Sequence, residues 1–382
     1  MVLSKDDPAY RQCTLTVMDN IADPDITFDE KGICNYYYDY REAEKNVLLG
    51  THGEAKLIEL VNAIKEKGQG KKYDCLIGLS GGVDSTYVAY LVKKLGLRPL
   101  AVHLDNGWNS ELAVKNIENI ISKLNIDLYT LVVNWQEFKD IQLSYVKASV
   151  VDIEVVSDHA IIATMYKLAK QHSIGFIISG TNIVTEHIMP PSWIYRKTDF
   201  ANLKDIHSQY GKVKLSTYPY LDFKKHVYYS AVLKLTPISI LDYVPYIKKD
   251  VKEFITKELE WRDYGGKHYE SLFTKFYQAY ILPRKFKIDK RKAHLSTLIC
   301  SGQISKEEAL KELELPLYNP EELRQDIDYV IKKFTLTTHQ FESIIQASPR
   351  KHSEFKTDSV LKQNYMRLLQ KTQKLRKVFS AR

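Results

Sequence analysis

An α/β fold built on a doubly wound parallel sheet is predicted by three observations. Short apolar runs alternate with stretches of helical periodicity between residues 51 and 182. A glycine-rich turn, Ser80-Gly-Gly-Val-Asp-Ser85, lies between one such run and one such helix. The alternation then stops, and the end of the chain is charged and helical. Strands that alternate with helices pair in parallel, and such sheets bind ligands at the carboxyl ends of their strands, near the switch point.

The elements follow in order. Residues 51–68 place Leu57, Leu60, Val61 and Ile64 on one helical face. Residues 75–79 are an apolar run of strand length. Residues 86–95 carry Val88, Leu91, Val92 and Leu95 at helical spacing, with Gly96 as the expected C-cap. A second strand over 98–105 ends in Asn106-Gly-Trp-Asn-Ser110. Residues 111–124 read as helix and 128–133 as a third strand. Residues 136–172 read as helix, and 175–182 as a further strand and turn. Residues 183–245 are rich in aromatic residues and proline with weak periodicity. That predicts a loop-rich insertion over the sheet edge, acting as a substrate lid. From 236 the chain is helical again, with Pro316 and Pro320 marking breaks. Three segments result: an irregular, degenerate zinc-ribbon-like one over 1–50, a nucleotide domain over 51–235, and a helical substrate or partner region over 236–382.

Composition narrows the class. A chain of 382 residues has room for a large core. It holds no 18-residue apolar run and no signal peptide, which predicts a cytoplasmic protein without membrane insertion. The net charge of +8, spread over this length, fits an anionic ligand and gives weak support for nucleic acid. Cys13, Cys34, Cys75 and Cys300 are far apart, which argues against a disulfide framework. Cys13-Thr-Leu-Thr16 and Cys34-Asn-Tyr-Tyr37 have the spacing of two zinc knuckles, each without its second cysteine. Two thiolates leave a tetrahedral site half filled, so no zinc is expected.

The loop is a phosphate site by its chemistry. Glycines let the backbone approach an oxyanion, free N–H groups at the helix start point toward it, and Ser80 and Ser85 add hydroxyl donors. Gly68-Gln-Gly-Lys-Lys72 is not a Walker-type loop, because no Ser or Thr follows its lysines. The order Ser-Gly-Gly-Val-Asp-Ser resembles the PP-loop of ATP pyrophosphatases, which include the synthetase domains of GMP, NAD and asparagine synthetases and tRNA-thiolating enzymes. The resemblance implies cleavage of ATP between its α and β phosphates.

Three further stretches resemble the N-acetyl sugar amidotransferase family, whose members act in bacterial surface-polysaccharide (O-antigen-type) biosynthesis. They are Cys13 with Thr27-Phe-Asp-Glu-Lys-Gly-Ile-Cys34, the run His103-Leu-Asp-Asn-Gly-Trp-Asn-Ser110, and Trp261-Arg-Asp-Tyr-Gly-Gly-Lys-His-Tyr-Glu-Ser271 with its continuation to Gln303. The resemblance runs to about residue 312, and the missing cysteines are its departure. It implies an ATP-dependent, AMP-forming ligase that turns an acetamido group into an acetamidino group. The substrates implied are ATP with Mg²⁺ and an N-acetylated nucleotide sugar. No glutaminase nucleophile is evident in the chain. Ammonia is therefore expected from a separate glutaminase subunit and a barrel-type channelling partner, resembling those of imidazole-glycerol-phosphate synthase. A homo-oligomer is left open.

Site residues follow from the loop and the resemblance. Ser80, Gly81, Gly82 and Ser85 are assigned to the departing phosphates. Asp84 is the candidate for Mg²⁺, with a helix cap as its alternative role. His103, Asp105, Asn106 and Asn109 face the ligand from the second strand, and Gly180, Thr181 and Asn182 close the other side. The resemblance implies an active-site role for Lys267, His268, Glu270, Asp289, Lys290, Arg291 and His294. Residues 284–292 read either as a diphosphate-holding cluster or as a solvated charged face. His159 reads as a structural histidine and Asp158 as a weaker site candidate. Trp108 and Trp261 read as core or as sugar-stacking rings. The rival functions are tRNA modification by sulfur transfer, which usually needs a cysteine pair or a metal–sulfur site, and a non-catalytic scaffold.

Overall fold

The computed structural model describes residues 6–265 and 269–380. Five parallel strands form one sheet: β1 (Cys75–Gly78), β2 (Pro99–Asp105), β3 (Asp127–Val132), β4 (Phe176–Ser179) and β5 (Thr236–Ser239), in the order β3-β2-β1-β4-β5. The register pairs Ile77 with Ala101 on one side and with Ile178 on the other. From β1 the chain winds outward through β2 and β3, then returns to add β4 and β5 on the opposite side. The winding direction therefore reverses between β1 and β4, and the crevice there opens at the carboxyl ends of both.

Strand residues alternate between two faces. Cys75, Ile77, Ala101, Ile178 and Ile238 pack against α2 (Gly50–Lys67), α3 (Val83–Lys94), α4 (Glu111–Leu124) and α10 (Lys248–Leu259). Leu76, Leu100, Val102 and Ile177 pack against α6 (Val155–Gln171). Burial on both faces explains why the central strands read as unbroken apolar runs.

A larger core lies beside the sheet. It takes Cys13, Cys34 and α1 (Asn35–Glu44) from the N-terminal segment and the buried face of α5 (Trp135–Ala148). It also takes α11 (Leu272–Phe276), the wide-turn helix 277–286, α12 (Arg291–Cys300), α14 (Pro320–Phe334) and α15 (Thr338–Gln346). Short α13 (Lys306–Glu314) flanks it, and α16 (Ser359–Ser380) ends the described chain.

Three expectations are corrected. Residues 136–172 are two helices, parted where Ser149 takes a left-handed φ of 57°. The break carries the buried carboxylate of Asp152 to Lys197 Nζ, 2.7 Å away. Residues 183–245 are not loop alone. They hold α7 (Ile183–Glu186), α8 (Phe200–Tyr210), α9 (Phe223–Val227) and a buried set of Ile188, Trp193, Leu203, Ile206, Tyr218 and Leu221. Of its aromatic side chains, Trp193 and Tyr218 are buried in that set, while Tyr220 and Tyr228 are exposed. The fifth strand also begins at Thr236, one residue past the 235 boundary. Pro237 masks it in the sequence, since proline is tolerated only in an edge strand.

In the N-terminal segment Cys13 and Cys34 come together. Cys13 N donates to Met18 O at 2.9 Å, and Cys34 N donates to Cys13 Sγ at 3.2 Å. The bond from the Cys34 thiol draws the Cys13 pKa down to about 5 and pushes that of Cys34 up. Among the described residues, no group of three His, Cys, Asp or Glu side chains is placed to hold a metal ion. No helix among them is long and apolar enough to cross a membrane.

Candidate active site

The loop between β1 and α3 is braced from within. Ser80 Oγ and Ser85 Oγ lie 3.2 Å apart, Gly82 N donates to Ser80 Oγ at 3.2 Å, and Thr86 Oγ1 donates to Gly82 O at 2.7 Å. Gly82 is the N-cap of α3, with no side-chain cap, so the helix start stays open toward the crevice. In front of it lies a cavity of about 1060 Å³ at the carboxyl ends of β1, β2 and β4.

The structure brings most of the expected residues to that cavity. Ser80, Gly82, Asp84, Ser85, His103, Asn106, Asn109, Gly180 and Thr181 line it from the sheet side. Glu270, Asp289, Lys290, Arg291 and His294 line it from the helical side. Lys267 and His268 lie outside the described residues.

Three expected residues do not line it. Gly81 has a φ of 83°, and a Cβ there would stand 2.9 Å from the Ala113 carbonyl oxygen. Its own carbonyl accepts from Trp261 Nε1 at 2.7 Å. Gly81 thus serves the close approach of α4. Asp105 accepts from Gly107 N at 3.0 Å and shapes the turn after β2. Asn182 caps α7 by accepting from Thr185 N at 2.9 Å.

Several roles are narrowed by the contacts. Asp84 is not a cap: it stands in the first turn of α3 and accepts the phenol of Tyr246. His103 is buried, its Nδ1 is 3.0 Å from Leu79 O and its Nε2 is 3.1 Å from Asn109 Nδ2. The carbonyl can only accept, so Nδ1 carries the hydrogen and Nε2 takes one from the amide. Burial lowers the His103 pKa, which keeps the ring neutral. It props the strand end on which the loop begins.

The 284–292 run is not a free solvated surface, because its charges are engaged within the chain. Arg291 binds Asp289 through Nε and Nη2, Glu312 O and Leu315 O through Nη1, and Leu313 O through Nη2. All five guanidinium donors are committed, and they cap the end of α13. Lys285 caps α15 by donating to Ile344 O and Ala347 O at 2.6 Å, and burial draws its pKa down to about 8. Lys290 pairs with Glu154 at 3.3 Å and Lys292 with buried Asp19. The run knits the helical region to itself and to the N-terminal segment.

The remaining candidates also resolve. Trp108 and Trp261 are both core, the first donating to Gln142 Oε1 at 2.8 Å. His159 is structural, with Nδ1 2.7 Å from Lys197 O and Nε2 accepting from Leu221 N at 3.0 Å. Asp158 lines the cavity and pairs with Lys197 at 2.9 Å. Sequence reasoning missed Tyr246, Tyr264, Glu154, Gln278, Lys248 and Lys252, all on or beside the wall. Tyr246, Glu154, Lys248 and Lys252 stand outside the motifs, and Gln278 falls in the continuation of the third stretch. Tyr264 lies inside the Trp261–Ser271 stretch, and that third stretch was the one available signal.

The wall carries the carboxylates of Asp84, Glu154, Asp158, Glu186, Asp263, Glu270, Asp289 and Glu312 against the cations of Lys248, Lys252, Lys290 and Arg291. A divalent cation would offset the charge of a polyphosphate set against these carboxylates. Asp84 and Glu270 supply the hard oxygen donors beside the loop that such an ion prefers.

Comparison with known proteins adds to this picture. Residues 270–371 match the family described as LPS biosynthesis protein WbpG-like, C-terminal domain. Residues 55–190 match the NAD synthase family. The chain is similar to an uncharacterized protein of Methanocaldococcus jannaschii, 26% identical over 262 residues that cover 68% of this chain and 79% of that protein. It is 40% identical over 76 residues to tRNA(Ile)-lysidine synthase of Chlamydia pneumoniae, covering 19% of this chain and 23% of that enzyme. Among solved structures, NMN synthetase from Francisella tularensis is similar at 17% identity and a TM-score of 0.30, over 60% of this chain and 93% of that one. The NH3-dependent NAD synthetase from Campylobacter jejuni is similar at 14% identity and a TM-score of 0.31, over 69% and 97%.

Proposed function

We propose that this chain, which joins an NAD-synthase-type PP-loop domain to a WbpG-like lipopolysaccharide-biosynthesis domain, is an AMP-forming N-acetyl sugar amidotransferase. One observation carries the reading: a single cavity is shared by the two matched regions. Ser80, Gly82 and Ser85 line it from the first, and Glu270, Thr274, Gln278 and Lys290 from the second. A nucleotide on the loop and an acceptor against the helical wall would meet at its centre.

The chemistry follows from the acceptor. An amide oxygen is a poor leaving group. In the proposed reaction it attacks the α-phosphorus of ATP, the bond to the bridging oxygen breaks, and pyrophosphate departs with the electron pair. Ammonia then adds to the activated carbon and AMP leaves, which gives an amidine. The chain's part is to position the two substrates and stabilise charge on the departing group. The loop amides and serine hydroxyls hold the phosphates, and Asp84, oriented by Tyr246, faces them with Glu270. Bound Mg²⁺ would supply neutralisation of the phosphate charge. Ammonia arrives from a separate glutaminase through a barrel-type partner, because free ammonia is mostly protonated at neutral pH and water competes for the activated carbon.

The test is pyrophosphate release from ATP with ammonium salts and a panel of N-acetylated nucleotide sugars. Mass spectrometry should show the amide oxygen replaced by labelled ammonium nitrogen. Release stimulated by tRNA and by no sugar would favour the tRNA-modification reading instead. That reading in its sulfur-transfer form is disfavoured here, since all four cysteines are buried.

A further inference from the structure

Residues 260–265 and 269–272 lie against the loop as the two described parts of a strap, each tied to the sheet domain. Asn116 exchanges two hydrogen bonds of 2.9 Å with the Arg262 backbone, and Trp261 holds the Gly81 carbonyl. At the other end Ser110 N donates to Glu270 O at 2.9 Å, and Leu272 N donates to Trp108 O at 2.9 Å. Between these ties the strap brings the phenol of Tyr264 and the carboxylate of Glu270 down over Gly82.

The three groups around Gly82 share one point. A Cβ built on Gly82 would stand 3.2 Å from Tyr264 Oη, 3.2 Å from Ser80 Oγ and 3.6 Å from Glu270 Oε1. That point lies in front of the open start of α3, where backbone amides favour an anion. The Tyr264 hydroxyl makes no hydrogen bond among the described residues, whereas the phenol of Tyr246 is committed to Asp84. Burial and the charges of Glu270, Asp84 and Asp263 push the Tyr264 pKa up, so the hydroxyl keeps its proton and acts as a donor.

We infer that Tyr264 is a catalytic residue of the pyrophosphate half-site, donating a hydrogen bond to the pyrophosphate as it leaves, opposite Ser80. The leaving-group pocket is then composite, built by the loop from below and by the strap from above. The role rests on the ATP cleavage proposed above. In that step the new bond joins the amide oxygen to the α-phosphorus, and the electron pair of the broken bond stays on the bridging oxygen. Tyr264 transfers no proton; it strengthens its hydrogen bond as charge accumulates on the leaving group. Gly82 is required at the centre of this pocket because any side chain would fill it.

The test is Tyr264→Phe in the full chain. The substitution removes one oxygen and keeps the edge-on contact of the ring with Trp261, at 5.5 Å between centroids. Calorimetry with magnesium pyrophosphate should show Kd raised by about 10- to 100-fold, the scale of losing one hydrogen bond to a charged group. The kcat for pyrophosphate release should fall by a similar factor, with KM for ATP changed less than about threefold. An unchanged melting temperature would show that the loss is not one of folding. A variant that binds pyrophosphate as tightly as a wild-type chain that does bind it would overturn the role of Tyr264 and leave the amidotransferase reading standing. A wild-type chain that neither binds pyrophosphate nor releases it from ATP would overturn both.

Discussion

Replacing His159 by Gln should remove a defined part of the chain's acid sensitivity. The imidazole is almost wholly buried between Phe200 and Tyr218, with ring centroids at 5.5 and 6.2 Å. Its two nitrogens are held by Lys197 O and Leu221 N. Burial pushes its pKa down from 6.5 to about 4, against the opposing pull of the Lys197 carbonyl and Asp199. The sign follows directly. The unfolded chain binds a proton near pH 6.5 and the folded chain only near pH 4, so stability is full above 6.5 and is lost as pH falls through that window. The loss is about 2 kcal/mol at pH 5 and about 3 kcal/mol below pH 4, at 1.36 kcal/mol per unit. His352 behaves alike: burial, aided by Lys197, lowers its pKa to about 3, and its ring stacks on Tyr195 at 4.0 Å. Urea unfolding of wild type and His159→Gln at pH 8 and pH 5 isolates the term, because other titrating groups cancel in the difference. The variant should be weaker at pH 8 yet lose about 2 kcal/mol less on going to pH 5. Equal drops in the two proteins would show that His159 is not held neutral, and the packed 183–245 region would need another account.

Gly81→Ala should destabilise the chain by about 2–4 kcal/mol, from the left-handed φ together with the collision at Ala113 O, read as a lower urea midpoint. Gly82→Ala should instead leave the midpoint close to wild type and lower ATP turnover, since its Cβ meets only side-chain ends in the cavity. Arg291→Lys keeps the charge and loses the fork that caps α13, so it should lower stability by about 1–3 kcal/mol. An intact melting temperature with lost pyrophosphate affinity would restore the anion-binding role to Arg291.

The sequence by itself determined the sheet domain and its loop. Alternating apolar runs and helical stretches specify a parallel sheet, and Ser80-Gly-Gly-Val-Asp-Ser85 lies at the junction of β1 and α3 where that topology opens a crevice. Both signals are local, made by neighbours within a few residues. Two elements escaped for equally local reasons: Pro237 hides β5, and α8 follows a stretch whose aromatic residues break the periodic pattern. Tertiary structure alone decided what each polar group does. Tyr246 reaches Asp84 across 162 positions. The glycine at 81 faces a carbonyl of α4, while the one at 82 faces the cavity. The 284–292 charges end on backbone carbonyls and on carboxylates brought from elsewhere in the chain. Every residue carries a carbonyl, so a helix end that needs a cation leaves no mark in the amino-acid sequence. Only the packing that strands it beside Arg291 or Lys285 separates a structural cap from a binding site.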